Sequence, residues 1–371
     1  MDVKQTVRMN PGEGDTSYAR NSTFQSAEQI RLKPLLEEAI MELCCTITPV
    51  PSSMVIADLG CSCGPSALTL VSTAIDAVLR GYLHLQLPPP ELSLLLNDLP
   101  SNDFNAVVKH STAFQDKHNG DKDQQGRLSP LVLTSIVPGS FYGRLFMAGS
   151  VHLVCSSSSL HWLSKIPEDL VKNGIPMYHG DENRRREMRP VVLGAYAQQF
   201  RKDFTLFLEC RAQEMVPGGR MVFSLTATRS PDPANESTQT WELVARVLDD
   251  MASRGIIDKE KLKTFYIPLY ATYEKEVKEI IEEQGSFNIT KLEVHDSMSG
   301  VNKALINPKM IAYGLRAAFE PIIVEHFGAH PEIIDEFVTT VEQNMSRYNP
   351  RDDHDKNPRV FLAFSLEKRQ R

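Results

Sequence analysis

Residues Ile56 to Leu70 read IADLGCSCGPSALTL. An apolar run closes on Asp58, Gly60 and Gly64 fall in the short stretch after it, and a helical pattern runs from Ser66 to Leu79. The spacing therefore predicts strand, tight turn and helix. Glycine at the turn permits the close backbone approach that a bound nucleoside needs. A dinucleotide site would favour G-x-G-x-x-G, with a helix amino end facing a pyrophosphate; two of its three glycine positions do not fit here, which counts against NAD. Asp58 beside the turn suits a cationic ligand better than a phosphate, and S-adenosylmethionine carries both a sulfonium and an ammonium. A second carboxylate, Asp98, ends the next apolar run, ELSLLLNDLP, where it can accept from both ribose hydroxyls. Both acids can also be read as loop caps; their paired places at two successive strand ends favour the ligand.

Working outward, Leu131 to Val137 predicts a third strand after the polar loop NGDKDQQGR, and Val151 to Cys155 a fourth. A long helix, VVLGAYAQQFRKDFTLFLECRAQEM, stops at Pro217-Gly218-Gly219 before a fifth strand, RMVFSLTAT. FNITKLEVHD and RVFLAFSLEK complete seven. Strands alternating with helices predict an α/β fold with a mostly parallel sheet covered on both faces. Helical segments at Trp241 to Met251, Glu274 to Gln284, Pro308 to Phe327 and Ile333 to Met345 exceed what crossovers require. Those after strands five and six read as a helical cap over the carboxyl ends of the strands, where open α/β sheets place ligands.

Composition excludes several classes. The 371 residues carry 42% hydrophobic and 23% charged residues, with a mean hydropathy of -0.26, as an ordinary globular chain does. A formal charge of -7 would repel nucleic acid on average. The arginines of DENRRREMRP (Asp181 to Pro190) read as a solvated loop with acidic neighbours. Six cysteines without a CxxC pair indicate neither a zinc site nor a disulfide framework. No apolar run approaches a bilayer span, and the opening MDVKQTVRMNPGEG lacks a signal-peptide core, so the expectation is no membrane partner and a cytoplasmic location.

Taken together, MNPGEGDTSYARNSTFQ, IADLGCSCGPS, LNDLPSNDF, VPGSFYGRLF and SSSSLHWLSKIPE resemble the plant SABATH family, S-adenosylmethionine-dependent carboxyl methyltransferases that include caffeine-pathway N-methyltransferases. The resemblance runs from Met9 nearly to the C-terminus. It implies a class I, Rossmann-like methyltransferase fold with seven strands, mostly parallel, and an α-helical cap. It divides the chain into an N-terminal segment closing over the active site (1–50), the cofactor-binding core (51–229), the mainly helical cap with a core strand near 287–294 (230–345), and a final strand and tail (346–371). Matched motifs imply cofactor contacts at Tyr18, Cys61, Ser66, Asp98, Leu99, Ser140 and Phe141, beside Asp58. On the substrate side they imply Gln25, His161, Trp162 and Trp241, and for the active form a homodimer.

The implied reaction converts a small acid of benzoate, salicylate, anthranilate, jasmonate or indoleacetate type into its methyl ester. A carboxylate is already ionised at neutral pH, so positioning replaces general base catalysis. Gln25 and Trp162 would hold one carboxylate oxygen and leave the other to attack, with His161 as wall or donor. N-methylation of a xanthine-like base is the alternative, and a degenerate member that binds without turnover a third. The chain departs from the family pattern in four places: Ser158 replaces an aromatic, which enlarges or polarises the pocket, Lys165 a glutamine, and Ser66 an asparagine. Fourth, of the family's Mg²⁺-associated positions Asn173 and Phe265 match, but Lys263 and Tyr266 replace the others; a lysine there would repel Mg²⁺ or fill its place, and no metal is expected.

Overall fold

A computed structural model describes residues 8–118, 130–229, 239–302, 306–347 and 359–370, with only the backbone at 65, 66, 116 and 117. The loop NGDKDQQGR lies outside the described residues. The chain enters through α1 (Tyr18–Asn21) and α2 (Thr23–Thr46), then forms β1 (Ser53–Leu59), a 3-10 turn (Pro65–Leu68) and α3 (Thr69–His84). β2 (Glu91–Asp98), α4 (Phe104–His118), β3 (Val132–Pro138) and β4 (Val151–Ser157) follow, then α5 (Glu168–Lys172), α6 (Glu182–Glu214) and β5 (Met215–Thr228). The remainder is α7 (Thr240–Ser253), α8 (Lys259–Leu262), α9 (Glu274–Gln284), β6 (Phe287–Asp296), α10 (Pro308–Phe327), α11 (Pro331–Arg347) and β7 (Arg359–Lys368).

The seven strands form one sheet in the order β3-β2-β1-β4-β5-β7-β6. β1 to β5 pair in parallel, and only β7 runs against its neighbours. Since β1 leads outward to β2 while its other neighbour is β4, the order reverses between β1 and β4, and their carboxyl ends open a crevice.

Both faces of the sheet are covered. On one, α2 buries Leu32, Leu36, Ile40 and Leu43, one helical stripe, together with Val71, Ile75 and Val78 of α3. On the other, Phe200, Phe204 and Phe207 of α6 stack at 5.5 and 5.9 Å between ring centroids, and Phe204 meets Phe223 of β5 edge-on at 5.7 Å. α11 packs against both α7 and α10, and α10 against α1. Among the described residues no helix is long and apolar enough to cross a membrane.

The helix read from Ser66 to Leu79 is a 3-10 turn followed by α3, which runs on to His84, and two further boundaries differ from the sequence reading. α6 begins at Glu182, so the arginine-rich stretch is helix and not loop. Asp181 caps it by accepting from the Arg184 N–H at 2.8 Å, whereas the first turns point mostly to solvent and carry no apolar period. Within that stretch Arg189 is buried, its Nε donating to Glu242 Oε1 of α7 at 2.7 Å. Pro217-Gly218-Gly219 lies inside β5, where the pairing with β4 shifts register between Val151 and Leu153.

Candidate active site

The turn after β1 is shaped by protein neighbours. Gly60 has φ +76°, and a Cβ on it would lie 2.3 Å from Ser159 Oγ; Gly64 has φ +81°, and a Cβ there would come within 2.8 Å of Ala19 Cβ. The glycines thus admit the loop after β4 and helix α1, and Gly60 also lines the larger of the two chambers described below. Asp98, the last residue of β2, accepts from the Ser62 N–H through Oδ2 and from the Leu99 N–H through Oδ1, both at 2.7 Å. Burial pushes its carboxyl up to about 6 against the pull of those two bonds. Asp58 stands behind the wall at 2% exposure, not on it; burial and then the charge of Asp98 push it up to about 8.

Two chambers meet over the crevice. The larger, about 660 Å³, is walled by Asp98, Leu99, Cys61, Ser140 and Phe141. Burial holds the Cys61 thiol well above its ordinary range. Phe141 stands edge-on to Tyr142 and Phe207. The smaller, about 210 Å³, is walled by His161, Leu243, Thr240, Leu315, Ala318 and Phe319. Met9, Tyr18, Gln25, Ser158 and Trp162 line both. Ser101 Oγ, buried in the wall of the larger chamber, has no hydrogen-bond partner among the described residues, while the Ser62 side chain faces the Cys63 thiol. An unused hydroxyl, with an acceptor carboxylate and an aromatic face in the same wall, fits a nucleoside with free ribose hydroxyls.

His161 is 7% exposed, and burial pushes it down to about 4, so it is neutral near pH 7. Its Nδ1 accepts from the Thr226 N–H at 3.3 Å, which leaves the proton on Nε2 and makes that edge a donor. Trp162 is fixed by its backbone: its N–H donates to Ser159 O at 3.1 Å, and its carbonyl accepts from Tyr142 Oη at 2.7 Å. Its ring lies 5.7 Å from that of Phe319. Trp241 lines neither chamber; at 1% exposure it stacks on Tyr196, 5.7 Å between centroids, while its helix neighbours Thr240 and Leu243 reach the smaller chamber.

The side chain of Ser66 lies outside the described residues. Lys165 pairs with Glu168 near the surface. Asn173 Nδ2 donates to Asp169 O, Phe265 packs among His326 and Phe327, and Tyr266 Oη donates to Ile175 O. Lys263 gives its ammonium to Glu260 at 2.6 Å on the exposed side of α8, a surface ion pair instead of a stand-in for a bound cation.

Sequence reading missed Arg211 and Glu214, both fully buried at the end of α6. Glu214 Oε1 accepts from the Leu145 and Phe146 N–H groups, and its Oε2 from Arg211 Nε at 2.7 Å. Arg211 in turn donates to the carbonyls of Phe141 and Gly143 at 2.9 and 2.8 Å. Glu214, paired with Arg211 and at 3.2 Å with Arg144 of the loop itself, therefore holds the loop that presents Ser140 and Phe141. Charges in ECRAQE look like an ordinary exposed helix end, and nothing local marks them as buried.

Comparison with known proteins gives the family and the fold. The family described as SAM dependent carboxyl methyltransferase matches residues 4–369. The chain is 42% identical over 348 residues, 91% of its length and 92% of the relative's, to "Probable jasmonic acid carboxyl methyltransferase 1" of Theobroma cacao. It is 38% identical over 358 residues (95% and 96%) to "Probable caffeine synthase 4" of Camellia sinensis. A loganic acid methyltransferase solved with SAH superposes with a TM-score of 0.81 at 26% identity, covering 98% of this chain and 99% of that one. A match across nearly the whole chain, over a fold and a two-chamber crevice of this form, places the chain in the family of SAM-dependent carboxyl methyltransferases.

Proposed function

We propose that the smaller chamber takes an acid with an apolar, alicyclic or aromatic body and presents its carboxylate at the seam to the methyl group of S-adenosylmethionine held in the larger. The observation that carries this is the shared wall, where Gln25 and Trp162 reach both chambers at once. When bound, the cofactor supplies an electrophilic methyl on a sulfonium. Gln25 and Trp162 donate N–H groups to one carboxylate oxygen and orient the other for attack. His161 is neutral and offers only a donor edge, which suits an acid that needs no base. Leu315, Ala318 and Phe319 exclude water, so the neutralisation of charge as the ester forms is favoured.

The jasmonate end of the substrate range is supported by the Theobroma relative; benzoate, salicylate, anthranilate and indoleacetate types fit the same chamber chemistry. The reading includes a homodimer in the cytoplasm and activity without Mg²⁺. Transfer of a labelled methyl to a panel of acids and xanthines, with and without Mg²⁺, tests it in wild type and Trp162→Phe. Ester formation on one acid, falling about 10–100-fold in the variant, is the expected result. Methylation of a xanthine nitrogen alone, or cofactor binding without transfer to any acid, would replace it with the N-methylating or the non-catalytic reading; strong activation by Mg²⁺ would overturn the metal-free part.

A further inference from the structure

Four consecutive serines follow the core of β4, and three spend their hydroxyls on the fold. Ser156 Oγ donates to Leu59 O at 2.8 Å, Ser157 Oγ pairs with Ser224 Oγ at 3.3 Å, and Ser159 Oγ donates to Gly60 O at 3.1 Å. Ser158 does not. It is 8% exposed, its Oγ has no partner among the described residues, and it lines both chambers. Its backbone is left-handed, with φ +57°, and its N–H is tied to Ser224 O at 2.9 Å, so the side chain is held at the seam by main-chain geometry. A buried hydroxyl without a partner is costly, and one held in a strained conformation at a binding wall points to a ligand.

We propose that Ser158 selects the acid, its hydroxyl hydrogen-bonding a hydroxyl or keto oxygen carried on the carbon next to the carboxylate. This rests on the carboxylate reading above. The position follows from the wall it shares: Gln25 and Trp162 line both chambers as Ser158 does, whereas Met310, Leu315 and Ala318 line only the smaller one. A polar group far along the apolar body would not reach Ser158, and one beside the carboxylate would.

The test is calorimetric titration of the full chain, saturated with S-adenosylhomocysteine, with phenylacetate, mandelate (both enantiomers) and phenylglyoxylate, in wild type, Ser158→Ala and Ser158→Gly. The three acids share one skeleton and differ only beside the carboxylate. Wild type should bind mandelate or phenylglyoxylate about tenfold or more tightly than phenylacetate, the size of one good hydrogen bond. Both variants should lose that preference while holding phenylacetate; glycine accepts the left-handed backbone without strain, so a folding defect in the alanine variant leaves the glycine variant to decide. Phenylacetate bound as tightly as the other two by wild type, or an equal loss for all three acids in the variants, would overturn the proposal and leave the carboxylate reading intact. Binding of none of the three by wild type would overturn the proposal, while the methyl-transfer panel above decides the carboxylate reading by itself.

Discussion

Asp98 shows how a single side chain gains its role from its surroundings. Two backbone N–H groups hold the carboxylate while burial raises it to about 6. A ligand whose hydroxyls need an ionised acceptor gains affinity above that pH and loses it as pH falls through it, because the protonated acid keeps fewer acceptor sites. Titrations with S-adenosylhomocysteine between about pH 5 and pH 8 should therefore show affinity falling toward acid by nearly tenfold per unit below about 6. Asp98→Asn should bind weakly and without that slope; an unchanged slope would assign it to another group. This residue was legible because Asn-Asp-Leu-Pro is one contiguous motif at a strand end. Asp58 and Trp241 were legible as motif members, but whether a buried side chain stands in a wall or behind it depends on neighbours distant in sequence, and both stand behind.

Among the elements, α6 joins the most distant parts. Its first turns tie to the cap through Arg189 and Glu242, its middle carries the phenylalanine stack, and its end holds the Phe141 loop through Arg211 and Glu214. Removing one member of a buried pair leaves an uncompensated charge, at a cost of roughly 3–5 kcal/mol. Arg189→Met should accordingly lower the unfolding midpoint by that order while leaving affinity for S-adenosylhomocysteine in the surviving folded protein nearly unchanged. Glu214→Gln, in contrast, should weaken nucleoside binding as well, since Leu145, Phe146 and Arg211 all donate to this carboxylate. Denaturation and calorimetry on the two variants separate these effects; equal nucleoside affinity in both would mean that the loop holds itself. The turn after β1 gives a third case. Gly64→Val places a branched side chain at φ +81° and against Ala19, so α1 should be displaced and both chambers loosened. Faster proteolysis within the first 25 residues would show it.

For the whole molecule, α2 packs on the sheet and α1 on α10, and Met9, Tyr18 and Gln25 line both chambers. The Asn10 N–H donates to Ala317 O at 2.9 Å on α10, while one turn beyond Gln25 the buried Glu28 meets Arg31 at 2.9 Å and His295 of β6 at 3.0 Å. The other ring nitrogen of His295 faces Glu293, itself paired with Lys291. Burial lowers the His295 pKa, but the bonds and charges of Glu28 and then Glu293 outweigh it and the net shift is upward. A raised histidine stabilises the fold fully below its unfolded value near 6.5, and that stabilisation is lost as pH rises through the folded value. The melting temperature of wild type should thus drop more than that of His295→Gln between about pH 6 and pH 9; parallel curves would sink the idea. The succession of strands along the chain, the glycine turn, the acid at the end of β2 and the motif order were determined by the sequence alone, because each rests on spacing within a few residues; the order of the strands within the sheet was not. That Lys263 pairs at the surface, that Trp241 stacks away from the chambers, that Arg211 is buried and that Ser158 alone of its four serines is unspent were decided only by the tertiary structure. Whether a side chain ends buried or exposed is set by elements distant in sequence, as Tyr196 against Trp241 and the Phe141 loop against Arg211 show, and no local pattern encodes it.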